Sequence, residues 1–232
     1  MPSGAVTFPL LQRLLADHPG LATAQIVGTD GMRRTPLHVA TDWPGYFPNG
    51  PAVVGLLLAA GADPNAPVVG AAAGHAETPL HWAASTDDSD VAAVLIDGGA
   101  DLEAPGASIA GGGPLDDAVG YGCWHVARLL VARGARVDHL WKAAALGLRD
   151  RVIELVEGGS QPSPEDLNHA FWQACHGGQR RMAEYLLSRG ADVNAVPDHT
   201  DQTPLDIAGS LDTRRETLTA WLRGNGAIPS ET

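Results

Sequence analysis

The chain has 232 residues, a formal net charge of −12 and 44% apolar residues. An acidic surface without a basic stripe argues against binding to a nucleic-acid backbone or an anionic membrane, because both attract cationic protein surfaces. No apolar run approaches the roughly 20 residues needed to cross a bilayer, and no basic region precedes the apolar residues at the N-terminus. We therefore predict neither a membrane span nor a signal peptide.

The cysteines and the basic residues suggest where the protein works. Cys123 and Cys175 are the only cysteines and form no CxxC pair, which predicts reduced core residues in a cytoplasmic protein. Nearly all of the positive charge is arginine, with Lys142 as the single lysine. Together with the abundant alanine and glycine, this usage is typical of a GC-rich bacterial genome.

The predicted elements begin with an amphipathic helix, PLLQRLLADHPG, at residue 9. Two short signatures then alternate along the chain. The first reads TPLHVA at 35, TPLHWA at 78, GPLDDA at 113 and TPLDIA at 203. The second reads GADPNAP at 61, GADLEAP at 99, GARVDHL at 134 and GADVNAV at 190.

Each alternation predicts a pair of helices. Thr78 suits the cap of a first helix, Pro79 its first turn and Leu80 its inner face. Apolar stretches such as VAAVLIDGG form the second helix, which ends at a glycine suited to a left-handed C-cap. One pair buries too little apolar surface alone, so the pairs must stack.

These signatures resemble the ankyrin repeat, whose pattern is TPLHxAA, a second helix, LLLxxGA and a hairpin containing DxN. The resemblance covers about residues 9 to 227. It implies an all-α solenoid of helix-turn-helix repeats joined by β-hairpin-like loops, in a single domain. We predict a capping helix and first hairpin at 1–34, a repeat array at 35–227 and a tail at 228–232. The six predicted repeats begin near Thr35, Thr78, Gly113, His139, His169 and Thr203.

The resemblance also assigns structural roles to several polar residues. In the ankyrin family the histidine of TPLH bonds to neighbouring backbone and joins repeats, which implies this role for His38 and His81. Asp116 and Asp206 occupy the same position in their repeats. The acidic run TDDSDV, with Asp87, Asp88 and Asp90, precedes a second helix and is interpreted as a helix cap.

The first repeat departs from the period of about 33 residues. Thr35 and Thr78 are 43 positions apart, whereas Gly113 and His139 are only 26 apart. Part of the surplus is a stiff aromatic loop, DWPGYFPNGP, and part is the long hairpin PVVGAAAGHAE. In an ankyrin-like stack these insertions lie at opposite edges of the concave face, so we predict two walls of a pocket. A stiff loop that only covers the core is the competing interpretation.

The predicted pocket lies over the first three repeats. Apolar walls with a few polar groups are typical of a small-molecule site and equally of the aromatic anchors of a protein interface. The predicted ligand-binding residues are Trp43, Tyr46, Phe47, His75, Trp82, Ser85, Asp117 and Tyr121. We predict no metal site, because the spacing of His75, His81 and Asp87 fits no ligand pattern, and no cofactor, because phosphate-binding and nucleophile motifs are missing from the sequence.

Two functions remain open. The resemblance implies a non-catalytic module that binds a segment of a partner protein on its concave face. The alternative is a binder of a small apolar molecule, or a cofactor-independent acid–base enzyme of the isomerase, cyclase or hydrolase type, with His75, Asp117 and Tyr121 as catalytic candidates. An enclosed cavity would favour the alternative, and an open groove would favour the binding module.

Overall fold

The computed structural model describes residues 8–29, 31–70, 76–159, 161–210 and 215–230. The chain divides into two compact units, Met1–Ala135 and Arg136–Thr232. The boundary falls within the shortest spacing between predicted repeats, where the connecting hairpin has almost disappeared. Each compact unit is described by itself.

The first compact unit is built from a short N-terminal element and three helix pairs. It begins with α1 (Pro9–Asp17), a 3-10 turn (Leu21–Thr23) and two antiparallel strands, β1 (Ile26–Val27) and β2 (Arg33–Arg34). The pairs are α2 (Pro36–Thr41) with α3 (Gly50–Ala59), α4 (Pro79–Ser85) with α5 (Ser89–Asp97), and α6 (Pro114–Gly120) with α7 (Trp124–Ala132). The first helices pack on one another in order, α2 on α4 and α4 on α6, as stacked repeats require.

The TPLH motif performs the structural role that its resemblance implies. His38 Nδ1 accepts a hydrogen bond from the backbone N–H of Thr35 at 3.2 Å and lies 2.9 Å from the Thr35 hydroxyl. The opposite ring nitrogen, Nε2, donates to the carbonyl oxygen of Glu77 at 3.1 Å. One imidazole thus closes the start of α2 and reaches the residue before α4. In the third repeat, Asp116 keeps the first of these bonds by accepting from the N–H of Gly113 at 3.0 Å.

The acidic run before α5 caps helices in two different repeats. Asp88 accepts from the N–H of Val91 in the first turn of α5, at 3.1 Å, which confirms its predicted role. Asp87 instead accepts from the N–H groups of His125 and Val126 at the start of α7, both at 2.9 Å. It also lies 2.6 Å from the His125 ring. A carboxylate of the second repeat therefore holds a helix of the third.

The second compact unit contains three more helix pairs. They are α8 (Leu140–Ala145) with α9 (Arg149–Glu157), α10 (Pro164–His176) with α11 (Arg180–Ser188), and α12 (Pro204–Ala208) with α13 (Glu216–Gly224). The packing of α10 against α8, α11 and α12 places the core around Phe171, Leu186 and Leu218, all fully buried. Both cysteines of the chain are buried, as predicted, and burial raises the pKa of the Cys175 thiol.

The first helix of the fifth repeat extends beyond the predicted repeat start at its N-terminal end. It starts at Pro164, so His169 lies inside α10 rather than at its start. Ser163 closes the helix, because its hydroxyl accepts from the N–H of Asp166 at 3.1 Å while its own N–H donates to the Asp166 carboxylate at 3.2 Å. Trp172 takes the position of the motif histidine, because its indole N–H donates to the carbonyl oxygen of Gln202, the residue before the next motif. None of the helices within the described ranges has the length and apolar character that a membrane crossing requires.

Candidate binding site

An open hollow of about 260 Å³ lies on the first compact unit, where the first three repeats meet. Three aromatic rings border it, those of Trp43, Trp82 and Tyr121. The other lining residues are polar, namely Asp42, Glu77, Ser85, Thr86 and Ser108. Trp43 is 80% exposed and Tyr121 is 53% exposed, so the rings form a wall rather than the interior of an enclosed cavity.

Trp82 is the fixed part of the hollow. Its indole N–H donates to the carboxylate of Glu77 at 3.0 Å. The guanidinium of Arg34 lies 5.5 Å from the centre of its ring system, within the range of a cation–π interaction. The edge of the His38 ring meets it at a centroid distance of 5.1 Å. Because three neighbours hold it, the half-buried ring of Trp82 presents a constant surface to any ligand.

The aromatic loop contributes one of its three rings to the hollow. Trp43 lines it, and its backbone N–H donates to the Asp42 carboxylate at 2.8 Å. Tyr46 turns instead towards the second repeat, where its hydroxyl donates to the carbonyl oxygen of Asp87 at 2.5 Å and its N–H donates to the Asp88 carboxylate at 2.7 Å. Phe47 is 39% exposed and does not line the hollow. Trp43 thus forms part of the wall of the hollow, whereas Tyr46 fastens the loop to the second repeat.

Close approach of the backbone fixes this loop against the second repeat. Gly45 has φ of +74°, and a Cβ atom at this position would lie 2.8 Å from the Cβ of Thr86. A side chain is therefore excluded both by the left-handed conformation and by the neighbouring residue. The loop contacts the turn that precedes α5, so it bridges the first two repeats beside the hollow.

Asp117 lies beneath the hollow rather than in its wall. Its side chain is fully buried, and Oδ1 accepts hydrogen bonds from the Ser108 hydroxyl at 2.9 Å and from the N–H of Ile109 at 3.0 Å. The Ser108 hydroxyl is also 2.8 Å from the Tyr121 hydroxyl. The Ser108 hydroxyl thus links Asp117 to Tyr121, which lines the hollow. Through the same contacts Asp117 holds the hairpin after α5 against α6.

The environment of Asp117 opposes its negative charge. Burial raises the pKa of Asp117 to about 7, and the hydrogen bonds from Ile109 and Ser108 offset only part of this shift. Its second oxygen, Oδ2, is buried and has no hydrogen-bond partner among the described residues. Removing a carboxylate from water without satisfying both oxygens is costly, so the neutral acid is favoured up to about neutral pH.

The structure thus brings together four of the eight predicted ligand-binding residues, Trp43, Trp82, Ser85 and Tyr121. His75 lies outside the described residues. The prediction did not include Asp42, Glu77, Thr86 and Ser108, which also line the hollow. Glu77 directly precedes the TPLH motif of the second repeat and lies five positions before Trp82. This closeness in sequence is the signal that could have identified it. Within the described ranges, no group of three or more His, Cys, Asp or Glu side chains could hold a metal ion.

Comparison with known proteins supports the repeat architecture. The family model of the ankyrin repeat matches residues 32–67, 75–107 and 166–198. The protein contains ankyrin repeats. Two of the matched segments hold the helix pairs α2–α3 and α4–α5, and the third holds most of α10 and α11. The pairs α6–α7, α8–α9 and α12–α13 complete the all-α repeat fold without matching the family model.

A solved structure, the human ASB11 ankyrin repeat domain, is similar with a TM-score of 0.48 and 21% sequence identity, over 84% of this chain and 85% of that chain. No curated protein matches the sequence. Ankyrin repeats generally form protein-interaction modules, and the family match indicates this general function here.

Proposed function

We propose that the protein binds a segment of a partner protein on the concave face of its first compact unit, with an apolar or aromatic partner side chain in the hollow between Trp43, Trp82 and Tyr121. The observation that carries the proposal is the set of exposed aromatic rings around an open hollow. Interface anchors are enriched in Trp and Tyr, whose large rings bury apolar area at a small cost in side-chain entropy.

The size and the open side of the hollow suit a side chain of a protein segment better than a small metabolite. Small-molecule sites bury most of their ligand in a concave pocket, commonly of about 300 to 1,000 Å³. This hollow has about 260 Å³ and is open on one side, so a ligand there keeps much of its surface in water. A side chain belonging to a longer segment suits such a site, because the rest of the segment makes contacts beyond the hollow.

The polar groups at the edge would set the register of that segment. Ser85 and Thr86 close successive turns at the end of α4, where their hydroxyls donate to the carbonyl oxygens of His81 and Trp82. The carboxylates of Asp42 and Glu77 favour backbone N–H groups or a cationic residue beside the anchor. These groups contribute orientation, while burial of the aromatic rings contributes most of the affinity.

The test uses peptides selected from a random phage-displayed library against the full chain. Affinities of the selected peptides are then measured by fluorescence anisotropy for the wild type, Trp43→Ala and Leu10→Ala. Because truncating an aromatic anchor costs at least about 1 to 2 kcal/mol, we expect Trp43→Ala to weaken binding by about tenfold or more. Leu10→Ala is the matched control, since Leu10 is also apolar and 69% exposed but lies on α1. Equal affinities for all three proteins would contradict the proposal.

A further inference from the structure

A second hollow, of about 320 Å³, lies on the second compact unit between the start of α10 and the loop that follows α11. Three carboxyl groups border it, those of Glu165, Asp166 and Asp198. Its other lining residues are Asn168, His169, Ala195, Val196, Pro197 and His199. No lysine or arginine is among them, so this hollow combines a negative border with imidazole rings.

Four aromatic rings contact one another in a row at this site. His169 stacks on Trp141, with a centroid distance of 5.6 Å and an interplanar angle of 19°. The His199 ring meets His169 edge-on at 5.2 Å and Trp172 edge-on at 5.6 Å. The Trp172 indole N–H donates to the carbonyl oxygen of Gln202 at 2.8 Å, which fixes the last ring of this row.

His169 does not supply the positive charge that the hollow lacks. Burial and the neighbouring His199 lower the pKa of His169 to about 4, so its ring is neutral at pH 7. Among the carboxyl groups, Asp166 is already bound to Ser163 in the cap of α10. Glu165 and Asp198 form no ion pair with any described residue and are exposed beside the hollow. Exposed carboxylates beside a flat aromatic ring are complementary to a planar cation.

We infer that this hollow is a separate binding site for an arginine side chain carried by an extended segment of a partner protein. The guanidinium plane lies on the ring of His199, and its N–H groups donate to the carboxylates of Glu165 and Asp198. Arginine fits better than lysine, because its flat fork can stack and donate in two directions at once. The inference concerns the second compact unit alone and does not depend on the aromatic hollow of the first.

The experiment measures binding of three peptides to the full chain at pH 7. Each is a capped pentapeptide of glycine and serine around one central residue, which is arginine, citrulline or lysine. Citrulline keeps the shape of arginine without its charge, so it is the matched control for electrostatic recognition. Binding is followed by the NMR signals of the His169 and His199 rings and of the Trp172 indole N–H.

We expect the arginine peptide to shift these signals to saturation and to bind at least about threefold more tightly than either other peptide. Asp198→Asn should weaken its binding about two- to fivefold, the range measured for exposed ion pairs. Asp150→Asn removes the same charge from a fully exposed position on α9 and should change the affinity by less than that.

Three results would overturn the inference. One is equal binding of the arginine and citrulline peptides, which would remove the role of charge. Another is equal binding of the arginine and lysine peptides, which would remove the role of the guanidinium plane. The third is an equal effect of Asp198→Asn and Asp150→Asn, which would leave only the net charge of the protein. Both variants replace exposed side chains, so melting temperatures close to the wild type would show that they fold.

Discussion

The charge of Asp117 makes the stability of the protein depend on pH. Its pKa is about 7 in the folded protein, against 3.8 for an unperturbed carboxyl. Between these values the folded protein binds more protons than the unfolded chain. The contribution of Asp117 to the free energy of unfolding therefore falls as the pH rises from about 4 to 7, and is constant outside that range.

Asp117→Asn should remove this dependence, because the amide keeps an oxygen for Ser108 and Ile109 but cannot ionise. We expect the variant to gain stability relative to the wild type as the pH rises from 5 to 8. The gain is at most about 3 kcal/mol, since the wild type loses about 1.4 kcal/mol for each pH unit between pH 5 and 7. Urea denaturation at several pH values measures the difference. Parallel pH profiles for the two proteins would show that Asp117 is ionised at low cost.

The role of His38 could be predicted, and that of Asp117 could not. His38 acts through a hydrogen bond within its own motif and one to the next repeat, so the repeat pattern is sufficient to assign it. Asp117 follows the motif in the third repeat and was predicted to face a ligand. It is buried because the extended hairpin after α5 folds back over it, through Ser108 and Ile109. The path of that hairpin is not encoded in the repeat period.

Adjacent hairpins of the first compact unit pack backbone to backbone at Gly106. This residue has φ of +122°, and a Cβ atom there would lie 2.8 Å from the carbonyl carbon and oxygen of Ala76. We expect Gly106→Ala to lower the free energy of unfolding by about 3 kcal/mol or more, through strain and steric conflict together. Chemical denaturation measures the change.

Gly111 is the matched control in the same hairpin. It also has a positive φ, +66°, but a Cβ atom there would have no described atom within 4 Å beyond its own chain neighbours. Gly111→Ala should therefore lower the free energy of unfolding only by the cost of the left-handed conformation, about 1 to 2 kcal/mol. Similar losses for the two variants would mean that the contact with Ala76 does not constrain the hairpin.

The repeat pattern locates the fifth repeat but not the first residue of its first helix. The family match begins three residues before His169, as it does before Thr35 and Thr78. The helix α10 nevertheless begins at Pro164, where Ser163 and Asp166 form a cap. Cap chemistry thus locates the start of a helix that is longer than the repeat pattern requires.

Over the whole chain, the sequence predicts the repeats better than it predicts the sites. Each helix pair follows from caps, prolines and apolar spacing, which act within a few residues. The aromatic hollow depends on how a loop, a hairpin and two helices meet, so only Trp43, Trp82, Ser85 and Tyr121 of the predicted residues line it. The hollow of the second compact unit was not predicted, because its residues come from a helix and from a loop that lies about 30 positions further along the chain.

The most direct test of the proposed function is site-specific photo-crosslinking with a peptide selected on the full chain. A photoreactive phenylalanine derivative replaces Trp43 in one variant and Leu10 in another. The proposed function predicts that the peptide is crosslinked through position 43, that excess unlabelled peptide abolishes the product, and that position 10 gives little product. Crosslinking of the peptide through position 10 but not through position 43 would contradict it.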